Sequence, residues 1–115
     1  MITVIFTKNE EMIRKVSVEG HASYGDTGMD IVCAGISILT ITILNGLIDK
    51  VGITSIEREI KEGYTSFSIP KIKDPIKNIK AQTLLETYEY GVLATESAYS
   101  DYITVKEING GELND

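Results

Sequence analysis

The chain of 115 residues has a single cysteine, Cys33, and a single histidine, His21. One cysteine excludes an intramolecular disulfide. The start, "MITVIFTKNEE", lacks the basic opening and small-residue cleavage site of a secretory signal. Both features point to a reducing, cytoplasmic setting. Positive charge is also scarce: 11 Lys and Arg stand against 17 Asp and Glu, giving a net charge of -6. Phosphate backbones are bound by clustered basic side chains that release counterions, so no direct nucleic-acid contact is expected. An acidic surface does suit a basic peptide partner. Two prolines, ten glycines and a hydrophobic fraction of 43% are those of an ordinary globular protein. The sequence shows no internal repeat, low-complexity tract or linker. The length is one domain's worth, placed here at 1–108, with the polar, glycine-rich stretch 109–115 as a flexible C-terminal tail.

Charge is missing altogether from Ile31 to Ile48, "IVCAGISILTITILNGLI", a run approaching the length of a membrane span. It contains Ser37, Thr40, Thr42 and Asn45, and Asp30 and Asp49 bracket it without an aromatic belt or a basic flank. A helix buried in a soluble core fits these features better, and no membrane partner is expected. Its apolar surplus exceeds what one side of a small sheet covers, which predicts a homodimer.

What is present alternates in recognisable periods. "ITVIFT" sets Ile2, Val4 and Phe6 against Thr3, Ile5 and Thr7, and "MIRKVSVEG" sets Met12, Val16 and Val18 against Lys15, Ser17 and Glu19. This period of two predicts two strands joined by the polar "KNEE" turn. The uncharged run is too long for a strand and is expected to be a helix capped by Asp30. "ITSIEREIKEGYTSFSIP" reads as a second hairpin turning at Lys61-Glu62-Gly63 and ended by Pro70. Ala81, Leu84, Leu85, Tyr88, Val92 and Tyr99 recur at helical spacing, which predicts a helix over roughly Ile76 to Ser100. "DYITVKEI" supplies a last strand. The order β-β-α-β-β-α-β follows, an α+β fold with a largely antiparallel sheet covered by two long helices.

The chemistry concentrates in "GHASYGDTGMDIVCAGIS", Gly20 to Ser37, where His21 and Cys33 stand twelve residues apart. A cysteine attacks as thiolate, and at an ordinary pKa of about 8.5 it is mostly protonated near neutrality. With Asp30 as cap, Cys33 would fall in the first helical turn. There free amides and the positive dipole end favour an anion and could hold an oxyanion. The intervening loop can fold back to bring His21 within reach of the sulfur as general base and then acid. Gly20, Gly25 and Gly28 allow a mobile loop and close approach of a substrate chain. Ser37 lies one turn beyond Cys33, and Asp30 is either a cap or a neighbour of the imidazole. Spacing alone leaves the bland readings open: Cys33 as a small core hydrophobe, His21 as a loop residue bonding locally, the glycines as a plain turn. One Cys and one His make a poor zinc set even with Asp26 and Asp30, so no metal or other cofactor is expected. No arginine lies between Cys33 and Arg58, which excludes a cysteine-phosphatase cradle.

Those residues resemble the signature of the bacterial ribosomal-processing cysteine proteases: Gly-His-Ala, a glycine loop, then Asp-Ile-Val-Cys-Ala with a Ser three residues after the Ala. Gly20, His21, Ala22, Gly25, Gly28, Asp30, Ile31, Val32, Cys33, Ala34 and Ser37 match it. The resemblance implies a cysteine endopeptidase using a Cys-His dyad, Cys33 as nucleophile and His21 as base, with Asp30 and Ser37 in support. It further implies a homodimer that removes a short N-terminal extension from a large-subunit ribosomal protein precursor, gripping it with a loop that includes Gly20, Gly25 and Gly28. The competing class is a non-catalytic, ribosome-associated peptide-binding module in which Cys33 only packs.

Overall fold

Alternation in the first strand carries through directly. Ile2, Val4 and Phe6 of β1 (Ile2–Asn9) are at most 2% exposed. β2 (Met12–Glu19) pairs with β1 antiparallel, but its period is interrupted. Thr7 faces Lys15 and Lys8 faces Ile13, so Arg14 is an extra residue, a β-bulge. The bulge moves the inward position from Met12, expected from simple alternation, to Ile13, which is fully buried beside Val16. The computed structural model describes residues 1–20 and 27–110.

The remaining strands are β3 (Glu57–Lys61), β4 (Tyr64–Ser68) and β5 (Ile103–Asn109), and the sheet order is β3-β4-β2-β1-β5. All pairings are antiparallel except β1 with β5, which is parallel. The fold is α+β with a largely antiparallel sheet, as the order of elements predicts. Strand β5 extends to Asn109, which pairs with Lys8; residues 111–115 of the expected tail lie outside the described residues.

Helix α1 spans Thr27–Asn45 and continues as one π-helical turn, Gly46–Lys50. Its inner stripe, Met29, Val32, Ile36, Thr40, Ile43, Leu44 and Leu47, recurs every three to four residues and packs on the inward face of the sheet. By length and composition the run Gly28–Lys50 is also apolar enough to cross a membrane. Ile31, Ile38 and Ile41 on its outer face are 51–66% exposed. Helix α2 spans Pro75–Ala98 and is started by Asp74, whose carboxylate accepts from the N–H groups of Ile76 and Lys77, with Pro75 in the first turn.

Two polar ties fix the helices against the sheet and each other. Buried Gln82 of α2 spans the main chain of Ile13, accepting from its N–H at 2.9 Å and donating to its carbonyl at 3.0 Å, directly beside the bulge. Tyr88 of α2 shares a 2.8 Å hydrogen bond with Thr40 of α1, whose hydroxyl also reaches the Ile36 carbonyl. Burial pushes the Tyr88 phenol up to about 12. The opposite sheet face is populated mostly by short hydroxyl and charged side chains, including Thr7, Ser17 and Ser66.

Candidate active site

The start of α1 decides how Cys33 is presented. The helix begins at Thr27, three residues before the expected cap, so Asp30 lies inside the first turn and Cys33 falls in the second. The free amides of the helix start therefore belong to the residues before Cys33, and the expectation that Cys33 sits among them is corrected. The apolar run read as the helix proper does not mark its start, because the first turn also packs: Met29 is buried in the core and Gly28 lies against Tyr102, far along the chain.

That packing is visible at both described ends of the glycine loop. A Cβ on Gly28 would stand 2.5 Å from the Tyr102 ring and 2.6 Å from its hydroxyl oxygen. Gly20, at φ +121°, has no room for a side chain against the Met1 carbonyl. Its N–H donates to the Gly63 carbonyl at 3.0 Å, and the Ile2 N–H donates to the Tyr102 carbonyl at 2.8 Å. The flanks of the loop thus converge on the chain around Met1 and Ile2. His21 and Gly25, expected as general base and loop residue, lie outside the described residues, as does Asp26.

On α1, Asp30, Cys33 and Ser37 follow at intervals of three and four and share one stripe. Asp30 and Ser37 are exposed, and Cys33 is a partly buried free thiol packed against the core. Burial, and then the negative charge of Asp30, push the Cys33 thiol above its ordinary value, with the amino-terminal charge acting in the other direction. The helix start does not by itself make a thiolate here, so a partner base is what the chemistry requires. Among the described residues no group of three or more His, Cys, Asp or Glu is arranged to hold a metal ion.

One turn beyond Cys33 the stripe opens into a cavity of about 110 Å³ between α1 and the β2–β4–β3 side of the sheet, lined by Val18, Ser37, Thr40, Ile41, Leu44, Ile60 and Thr65. No local pattern announces it, since its walls come from four elements. Two broader clefts of about 570 Å³ lie at the far end of β1 and β5, around Lys8, Glu10, Arg14 and Asn109, and neither includes Cys33 or Ser37.

Comparisons with known proteins agree with this geometry. The family model described as cysteine protease Prp matches residues 1–104. The ribosomal processing cysteine protease Prp of Staphylococcus aureus (strain NCTC 8325 / PS 47) is 34% identical over 106 residues, covering 90% of this chain and 95% of that protein. Its counterpart from Bacillus subtilis (strain 168) is 30% identical over 99 residues, covering 84% and 88%. Among solved structures, SMU.848 from Streptococcus mutans superposes with a TM-score of 0.79 at 25% identity, covering 95% of each chain. The S. aureus protease Prp in complex with a substrate peptide superposes at 0.72 with 30% identity, covering 93% of this chain and 99% of that one. A fold, a partly buried thiol on the second turn of α1 and a family match over nearly the whole chain converge: the protein belongs to the cysteine protease Prp family and is a cysteine peptidase.

Proposed function

We propose that this peptidase removes a short N-terminal extension from a large-subunit ribosomal protein precursor, with Cys33 as nucleophile and His21 as general base. The observation that carries the reading is the Cys33 thiol, held partly buried on α1 while burial and Asp30 both oppose its ionisation. Such a thiol needs a base to become a nucleophile, and His21 is the chain's imidazole. His21 takes the thiol proton as sulfur attacks the scissile carbonyl carbon, forming an S–C bond and a tetrahedral oxyanion. Collapse breaks the C–N bond, and the imidazolium returns its proton to the leaving amine. Water, deprotonated by the same imidazole, then hydrolyses the thioester and frees Cys33.

Asp30 and Ser37 flank the nucleophile along α1 as supporting residues, and Gly20 and Gly25 belong to the loop that grips the substrate, with Gly28 in the first turn of α1 where that loop ends. The outward-facing Ile31, Ile38 and Ile41 are the surface a second copy would cover, which supports a homodimer over a membrane contact. The single domain 1–108 acts in the cytoplasm on a peptide substrate, with no cofactor and no direct nucleic-acid contact.

Incubating the protein with purified large-subunit ribosomal precursors and reading intact mass tests the proposal. The expected result is one defined N-terminal loss, absent with Cys33→Ala and with His21→Ala. A full set of uncut precursors abandons the ribosomal substrate, and cutting by Cys33→Ala abandons the nucleophile. Sedimentation should give about twice the 12.7 kDa chain mass if the outer face of α1 joins two copies.

A further inference from the structure

Tyr102 engages both chain segments that carry the dyad. It stands between the end of α2 and the start of β5, where its N–H donates to the Tyr99 carbonyl at 2.9 Å and its carbonyl accepts from the Ile2 N–H at 2.8 Å. Ile103, the next residue, is buried and pairs with Ile2. The main chain beneath the phenol is thus held on both sides. From this footing the ring reaches Gly28 in the first turn of α1, where a Cβ would meet Cζ at 2.5 Å and the hydroxyl oxygen at 2.6 Å. Cys33 follows Gly28 by five residues, roughly 7.5 Å of helical rise. Ile2, held by the Tyr102 carbonyl, lies in turn against Gly20, whose Cβ would stand 3.1 Å from the Ile2 Cα. His21 is the next residue in the sequence.

We propose that Tyr102 is a positioning residue for the Cys-His pair, its ring seating the helix that carries Cys33 while its main chain seats the strand end that leads to His21; the proposal rests on the dyad reading above. A proton passes between sulfur and imidazole only within hydrogen-bond reach, and a displacement of about 1 Å between their supports can cost about a hundredfold. Tyr102 sets that spacing without touching substrate. Glycine at 28 has a matching reason, since any side chain there would lift the ring off the helix. Among the described residues, the charges acting on Cys33 are Asp30, on its own helix, and the amino terminus. Tyr102→Leu removes neither charge and keeps the main-chain bond to Ile2. A change in thiol ionisation in that variant therefore reports the placement of the imidazole.

Iodoacetamide labelling of Cys33 against pH tests this in the parent, His21→Ala, Tyr102→Leu, Tyr102→Phe and Gln82→Leu. The parent midpoint should lie below that of His21→Ala. Tyr102→Leu, which keeps apolar bulk but loses the ring over Gly28, should raise the midpoint by about one pH unit, with labelling near neutrality about tenfold slower. Tyr102→Phe restores the ring and should return the parent midpoint and rate. Gln82→Leu loses stability through the Ile13 main chain, at the opposite end of β2 from Gly20, and should keep the parent midpoint. This control separates placement of the dyad from general loosening. A folded Tyr102→Leu protein with the parent midpoint overturns the proposal, and so does a Gln82→Leu protein that shifts as far as Tyr102→Leu. If the parent midpoint equals that of His21→Ala, the dyad reading has failed and the role of Tyr102 fails with it. Should Tyr102→Leu not fold, Gly28→Ala decides from the helix side: its Cβ displaces the ring and should raise the midpoint, and a parent-like midpoint there overturns the proposal.

Discussion

Gly28 was expected to serve substrate approach, yet the structure gives it a packing role whose energetics change sign with its neighbour. In Gly28→Ala the new Cβ would sit 2.5 Å from the Tyr102 ring, where carbon atoms in contact keep about 3.5–4.0 Å. The ring or the first turn of α1 must retreat by about 1 Å, an overpacking that costs about 1–3 kcal/mol. Against this, alanine in a helix is favoured over glycine by about 0.8–1.0 kcal/mol, less at a first turn. Gly28→Ala alone should therefore destabilise by about 1 kcal/mol. In a Tyr102→Ala background the clash is gone and the propensity remains, so the same substitution should stabilise by about 0.5 kcal/mol. Urea unfolding of the four proteins of this cycle reads the effect as opposite shifts of the midpoint at constant slope. An alanine that stabilises in both backgrounds, or destabilises equally in both, refutes the packing argument and returns Gly28 to a role in the loop.

Three further outcomes follow from other contacts. Gln82→Leu removes both bonds to the buried Ile13 main chain and should cost about 2–4 kcal/mol by the usual penalty for buried unpaired groups, read in the same urea assay. Glu10 and Glu11 hold φ values of +54° and +66° in the two-residue turn between β1 and β2. Such a turn favours Asn-Gly, so Glu11→Gly should relieve left-handed strain and, after the entropy glycine adds to the unfolded chain, stabilise by about 0.5–1 kcal/mol without altering cleavage. Iodoacetamide labelling of Cys33 in the His21→Ala protein should have its midpoint above that of a small free thiol, because burial and Asp30 both raise it, and Asp30→Asn should bring that midpoint down. With His21 present the midpoint should fall below the free-thiol value; no difference between the two proteins would remove His21 as the base.

Local periodicity determined much of this protein by itself. The alternation of Ile2, Val4 and Phe6, the uncharged run of α1 and the repeat through Leu85, Tyr88 and Val92 each encode one buried face, because a strand or helix needs only its own spacing to present apolar groups together. The signature from Gly20 to Ser37 likewise lies within one short stretch and pointed to a cysteine peptidase before any geometry. What the tertiary structure decided depends on partners remote in sequence. The bulge at Arg14, which exchanges Met12 for Ile13 in the core, is held by Gln82, nearly seventy residues away. The early start of α1 is tied to Tyr102 over Gly28, and with it the place of Cys33 in the second turn and not the first. The parallel seat of β5 beside β1 and the apolar pocket framed by Val18, Ile41, Ile60 and Thr65 exist only once separate elements meet. Propensity and patterning act through neighbours a few residues apart, whereas pairing, clash and cavity are set by contacts between elements, so a single sequence carries the first legibly and the second only through its fold.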